Sequence, residues 1–337
     1  MDTNILKLLH DGTVIPAHPL VLNDDKTFDE AGQRRLTQYY MNSGAGGVAV
    51  GVHTTQFEIR DADVNLYETV LKVVAEETDK IEKPFIKVAG IVGHTKEAVK
   101  EAEMAVKHGY HFGLLSQGGL KDLSEEEMVE RAKEVAAVIP VFGFYLQPAV
   151  GGMILSYDFW RAFADIENVH AIKIAAFNRY QTIDVVRAVC ESERRNDIAL
   201  YTGNDDNIIA DLLTPYQFNV DGRTVEKRFV GGLLGHWAFC TKHAVQILGE
   251  VKKCIADGYS GVDGLLSKNI EVTDTNAAVF DVKNNFKGSI AGIHEMLRRQ
   301  GIMKNIVCLR ERERLSAGQV EEIERVCKTY FPELADR

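Results

Sequence analysis

Cysteine is scarce and poorly placed for either disulfides or zinc. Five occur in 337 residues (Cys190, Cys240, Cys254, Cys308 and Cys327), an odd number with no CxxC spacing. That argues against a disulfide framework or a zinc ribbon and fits a reducing compartment. Long apolar runs are missing too. None reaches the roughly 18 residues of a membrane-spanning helix, so no membrane partner is expected. The opening residues, MDTNILKLLHDG, lack the basic start and apolar stretch of a secretory signal, and the expected location is the cytoplasm. Positive charge is not in excess. With 49 acidic against 39 basic side chains the net charge is −10, the wrong sign for a protein that grips phosphate backbone, so no nucleic-acid partner is expected. His18, His53 and His236 stand outside any HxH or HExxH spacing, so no metal site is expected. No Gly-rich dinucleotide loop follows the first apolar run, which continues as PAHPLVLNDD; no cofactor is expected.

What the chain does contain is alternation. It is 45% apolar, enough for a substantial core. Short apolar, β-rich runs alternate with amphipathic helical stretches. The runs are TVIPAH, GGVAVGVH, PFIKVAG, FGLLSQGG, PVFGFYLQP, VHAIKIAAF, IALYTGND and FVGGLLGHW. Between them lie helical sequences, among them TKEAVKEAEMAVKHG, ending on a C-cap-like Gly109, and SEEEMVERAKEVAAV, opening on a Ser124 cap with an acidic first turn. Near-continuous apolar strands are expected where helices cover both faces of a parallel sheet. Eight βα units predict an α/β fold, a (β/α)8 TIM barrel. A doubly wound open sheet is the competing architecture. After about Phe239 the strands stop. AAVFDVKNNFKGSIAGIHEMLRRQG reads as one long helix, and SAGQVEEIERVCKTYF as another with a capping box from Ser316 to Gln319. The expected division is a catalytic barrel over residues 1–240 and a C-terminal helical region over 241–337.

In such a barrel the site lies at the C-terminal ends of the strands. One residue there is out of place: Lys173, in the middle of VHAIKIAAF. A buried ammonium is costly and tends to lose its proton. By period 2, Lys173 shares a face with Ala171 and Ala175, and Ile172 and Ile174 share the other. The small face suits a cavity and the bulky face suits packing helices. On the preceding strand Tyr145 shares its face with Gly143 and Val141, opposite Phe142 and Phe144, which predicts that Tyr145 and Lys173 point into one cavity. A neutral amine there can attack a carbonyl to form a Schiff base, and a tyrosine hydroxyl can move protons.

These residues resemble the dihydrodipicolinate synthase and N-acetylneuraminate lyase superfamily of class I aldolases. GAGGVAVGVHTTQFE is similar to its Gly-rich second strand ending in a Thr pair. PVFGFYLQP resembles its strand with a tyrosine three residues before a proline, VHAIKIA its lysine strand, YTGNDD its SGDD, and FVGGLLG its last strand. The tyrosine-to-lysine separation is also family-like (173 − 145 = 28). The resemblance implies Lys173 as the imine-forming nucleophile toward a 2-keto acid such as pyruvate, Tyr145 as proton shuttle, and Thr54 beside it. Thr55 and Thr54 would hold the keto-acid carboxylate. It implies His53, Gln56, Gly203, Asn204 and Leu233 as further substrate contacts, an aldehyde as second partner, and a homotetramer or homodimer. The departures are Gln56-Phe57 where the family has Gly-Glu, Val150 where the synthases carry a carboxylate-binding arginine, and no tyrosine in LSQGGL after strand four. His53 is placed to supply the missing proton-transfer group. The implied activity is therefore a lyase or aldolase other than a true dihydrodipicolinate synthase; the alternative is a non-catalytic barrel that binds a keto acid or sugar acid.

Overall fold

The computed structural model describes residues 2–337. Eight parallel strands form one sheet: β1 (Val14–Pro16), β2 (Gly47–Val50), β3 (Ile86–Ile91), β4 (Phe112–Ser116), β5 (Val141–Leu146), β6 (Val169–Ala175), β7 (Ala199–Thr202) and β10 (Phe229–Leu234). Their order is β1-β10-β7-β6-β5-β4-β3-β2. The two ends meet just past β1, where Ala17 bridges to Ala49 in parallel and the His18 N–H donates to the Ala49 carbonyl at 2.8 Å. The sheet thus closes into the expected (β/α)8 barrel. An antiparallel hairpin, β8 (Tyr216–Val220) with β9 (Arg223–Lys227), occupies the insertion before β10.

Two apolar layers explain the all-buried strands. One fills the barrel interior and includes Ile15, Ala49, Phe112, Phe142, Ala171, Tyr201 and Leu233. The other lies between the strands and the surrounding helices and includes Val48, Val50, Ile172, Ile174 and Leu200. The covering helices are α2 (Glu30–Asn42), α3 (Tyr67–Thr78), α4 (Thr95–Lys107), α5 (Glu125–Ala136), α6 (Tyr157–Ala164), α7 (Arg179–Glu191) and the short α8 (Ile208–Leu213). Their ends follow the capping residues. The Ser124 hydroxyl accepts from the Glu127 N–H, and Glu127 reaches back to the Ser124 N–H. Past α4, Gly109 takes φ +70. Helix α1 (Thr3–Asp11) precedes the first strand and is not among the expected elements. It sends Ile5 and Leu9 into the interior layer, and the Leu9 carbonyl accepts from the Tyr201 hydroxyl at 2.9 Å.

The C-terminal part contributes α9 (His236–Phe239), α10 (Thr241–Ala256), α11 (Val262–Val279), α12 (Ser289–Arg299) and α13 (Gln319–Tyr330). The single long helix expected across residues 277–301 is broken in two. Helix α11 stops at Val279, and Asp281, Asn285 and Phe286 adopt left-handed conformations with φ of 55, 56 and 65. Asp281 organises the break: its Oδ2 accepts from the Gly288 N–H at 3.0 Å and from the Ser316 hydroxyl, and its Oδ1 accepts from Asn284. Ser316 is therefore spent on Asp281, and only the other half of its capping box forms, with Gln319 Oε1 accepting from the Ser316 N–H at 3.0 Å. The break carries Phe280 and Phe286 to the mouth of the barrel. Among the described residues no helix is long and apolar enough to cross a membrane.

Candidate active site

Lys173 sits at the C-terminal end of β6, 7% exposed, with Ala171 and Ala175 on its face as the alternation requires. Its amine lies 4.3 Å from the centroid of Phe144, its partner in register on β5. It faces a small cavity of about 70 Å³ lined by His53, Thr54, Phe144, Gly203 and Asp205, among others. Gly203 makes room for it: a Cβ there would fall 2.5 Å from Lys173 Cε. Burial holds the Lys173 amine below its ordinary range, with Asp205 pulling the other way. The result is an amine that loses its proton more readily than a surface lysine and is open to an electrophile.

Tyr145 is a correction. It does not share the cavity with Lys173. On β5 the inward residues are Phe142 and Phe144, in register with Ala171 and Lys173, after an irregularity between Val141 and Phe142. Tyr145 faces the helices, stacked on Trp160 at 5.3 Å, with its hydroxyl accepting from the Leu155 N–H at 3.3 Å. The physical reason is the use made of Gly143. Its bare face lets the Phe163 ring of α6 approach so closely that a Cβ would meet it at 2.6 Å. The small residue on this strand serves helix packing, while Phe142 fills the interior against Phe112 and Tyr201.

The 3₁₀ turn His53–Thr55 brings two of the expected residues to the cavity and keeps one out. Thr54 lines it, and its buried hydroxyl has no hydrogen-bond partner. His53 lines it as well, and burial, with Lys173 nearby, lowers its pKa to about 4, so the ring is neutral near pH 7. The Thr55 hydroxyl is consumed by the main chain: it accepts from the Gly51 and Val52 N–H groups and donates to the His18 carbonyl at 2.7 Å. Gln56 adopts φ 65, so the backbone keeps a glycine-like turn despite the side chain. Its Oε1 accepts from the Leu309 N–H at 2.7 Å, which ties the loop to the C-terminal segment and away from the cavity.

Two further expectations fall outside the cavity. Asn204 is buried and bonded throughout: it donates to Thr182 and Asp211 and accepts from the Phe177 N–H. Leu233 packs in the barrel interior opposite Ile15. What sequence reasoning missed is Asp205, the next residue in YTGNDD, and the aromatic rim of Phe177, Phe280 and Phe286. The acidic pair of GNDD was a usable signal, since both halves cannot cap one helix. The rim was not legible, because Phe280 and Phe286 lie more than 100 positions from Lys173 in sequence and reach the cavity only through the helix break.

Residues 12–215 match the dihydrodipicolinate synthetase family. The chain belongs to this family. Its members are class I aldolases or lyases. N-acetylneuraminate lyases from Shigella boydii and Escherichia coli are each 26% identical over 196 residues, 57% of this chain and 62% of theirs; the match thus spans less than two thirds of the curated relatives' length. The fold is shared with dihydrodipicolinate synthase from Oceanobacillus iheyensis (TM-score 0.74, 16% identity, 97% of this chain and 99% of that one). It is also shared with N-acetylneuraminate lyase from Fusobacterium nucleatum (TM-score 0.72, 17% identity, 95% and 99%). In this chain Phe144 takes the inward position of β5 and meets the lysine, and Val150 lines the cavity, whose lining includes no arginine.

Proposed function

We propose that this protein is a class I lyase or aldolase that forms a Schiff base between Lys173 and a 2-keto acid such as pyruvate, and that it is not a dihydrodipicolinate synthase. One observation carries the reading: a buried lysine amine at the C-terminal end of a barrel strand, covered by the face of Phe144 and opening into a cavity. In low dielectric the neutral amine is favoured, and it is the nucleophile. The unpartnered Thr54 hydroxyl is placed to hold the keto acid. The second partner is a neutral, apolar aldehyde. Phe177, Phe280, Phe286 and Ile293 face it, and the cavity lining offers no arginine to a second carboxylate. A cytoplasmic homotetramer or homodimer goes with this reading.

Borohydride reduction in the presence of pyruvate and a panel of 2-keto acids, followed by intact mass and peptide mapping, tests it. A reduced adduct on Lys173, absent from Lys173→Ala, is expected. No adduct from any keto acid, with tight binding of one of them, would favour a non-catalytic binding barrel instead. The inward placement of Phe144 rather than a tyrosine is what keeps that second reading in view.

A further inference from the structure

We propose that Asp205 is the proton-transfer group of the Lys173 site, in the role the sequence assigned to Tyr145. The inference rests on the Schiff-base reading and deepens it.

Asp205 lines the same cavity as Lys173. It lies just beyond β7, the neighbour of β6, two residues after the glycine that clears space for the lysine stem. Its Oδ1 is buried and has no hydrogen-bond partner. Its backbone, by contrast, is fixed: the Asp205 carbonyl accepts from Asn276 at 2.7 Å, and Asn276 Oδ1 is bonded to His236 Nδ1 at 2.6 Å. A buried carboxylate oxygen left bare is costly. A bare one held rigidly in a cavity with a lysine amine is what a ligand-facing group looks like. Asn204, one residue earlier, is bonded on every polar atom, so the loop leaves this oxygen free while satisfying its neighbour. Burial raises the Asp205 carboxyl well above the usual range, against the pull of Lys173 and of the His236 backbone N–H, so it can hold or release a proton near neutrality. Among the cavity's other polar groups, the Thr54 hydroxyl is far too weak an acid or base to be the proton reservoir, and the ring of His53 is held neutral.

The steps balance through one carboxyl. Lys173 Nζ attacks C2 of the keto acid, the carbonyl electron pair moves to oxygen, and that oxygen takes the proton of Asp205. The carboxylate then takes a proton from the new C–N ammonium, giving a neutral carbinolamine. Asp205 returns the proton to the hydroxyl, which leaves as water while the nitrogen lone pair closes the C=N bond of the iminium. The carboxylate next removes a proton from C3. The C–H pair becomes the C2=C3 bond of the enamine, and the C=N pair returns to nitrogen. When the enamine attacks an aldehyde, its oxygen takes that proton from Asp205.

The test pairs borohydride trapping with exchange of the C3 protons of the trapped 2-keto acid in deuterium oxide, followed by proton NMR. Asp205→Asn keeps shape and volume, and its trapping at long incubation reports that the barrel is intact. The expected result is full labelling of Lys173 with C3 exchange slowed by about 10²-fold or more, while Tyr145→Phe exchanges at the wild-type rate. An Asp205→Asn chain that labels and exchanges like wild type overturns the assignment and leaves the Schiff-base reading standing. A wild-type chain that traps no 2-keto acid overturns both.

Discussion

Replacing Tyr145 with phenylalanine sets sequence pattern and structure against each other. A tyrosine three residues before a proline on the strand beside the lysine would, as a proton shuttle, cost about 10²–10⁴-fold in turnover when its hydroxyl is lost. The structure assigns that hydroxyl a different task. It accepts the Leu155 N–H at 3.3 Å in a buried setting outside the barrel, between β5 and α6. Removing the oxygen leaves that N–H with no partner, at about 1–3 kcal/mol. The stacking on Trp160 at 5.3 Å survives, since the ring is kept. At about 2 °C per kcal/mol for a chain of this size, the midpoint of thermal unfolding should fall by about 2–6 °C. Imine trapping and C3 exchange, measured well below that midpoint, should stay within about twofold of wild type. Differential scanning fluorimetry and the exchange assay on the same preparation decide it. A rate loss of 10²-fold with an unchanged midpoint would refute the outward placement of Tyr145.

Gly203→Ala places a Cβ 2.5 Å from Lys173 Cε and 2.8 Å from Ala175 Cβ; the lysine must move, and a displacement near 1 Å costs on the order of 10²-fold in rate, so trapping within threefold of wild type would contradict the packing described. Thr55→Val strips the Gly51 and Val52 N–H groups and the His18 carbonyl of their partner, at about 1–3 kcal/mol for each group left bare. A fall in unfolding midpoint of more than 6 °C is expected, with Thr55→Ser close to wild type; an unchanged midpoint with a raised Michaelis constant would return Thr55 to the substrate. Acid should destabilise the fold early. Burial lowers His18 and His294 to about 4 and His236 to about 3. Their folded values lie below the unfolded 6.5, so the unfolded chain binds more protons, and stability is full above about 6.5 and lost as pH falls toward 4. At pH 5 each contributes a loss of about 2 kcal/mol, from about 1.4 kcal/mol per pH unit over about 1.5 units. Urea midpoints that stay flat from pH 7 to pH 5 would mean these rings are solvated.

The barrel was legible because every strand is an apolar run bounded by turn residues, and because the pattern repeats eight times. Period 2 also placed Lys173 correctly, since the Ala and Ile faces of β6 differ so much in bulk that only one can enclose a cavity. The same rule failed on β5. There the faces are Val141, Gly143 and Tyr145 against Phe142 and Phe144, and bulk alone does not say which faces in. Gly143 could serve a ligand or a helix, and the approach of Phe163, 20 residues later, is what decides for the helix. Parity on a strand with one glycine is thus settled by a packing partner that the strand itself does not contain.

The family pattern and the chain part company for a related reason. A motif records residue types in order, whereas the cavity records which of them face inward. Thr55 and Asn204 hold positions where the resemblance implies substrate contacts, yet their polar atoms are satisfied by Gly51, His18, Asp211 and Phe177 before any ligand arrives. The fully buried polar atoms of the cavity lining left without protein partners are instead the Thr54 hydroxyl and Asp205 Oδ1. A buried polar atom keeps its free-energy cost unless something meets it. In this barrel both unmet groups line the space in front of Lys173, under a rim of phenylalanines two of which hold left-handed backbone conformations, Phe177 at φ 49 and Phe286 at φ 65. Such conformations cost about 1–3 kcal/mol each and persist where the surroundings enforce them. Two unsatisfied polar groups and two strained phenylalanines, costs that folding alone gives no reason to keep, thus fall together at the mouth of the barrel.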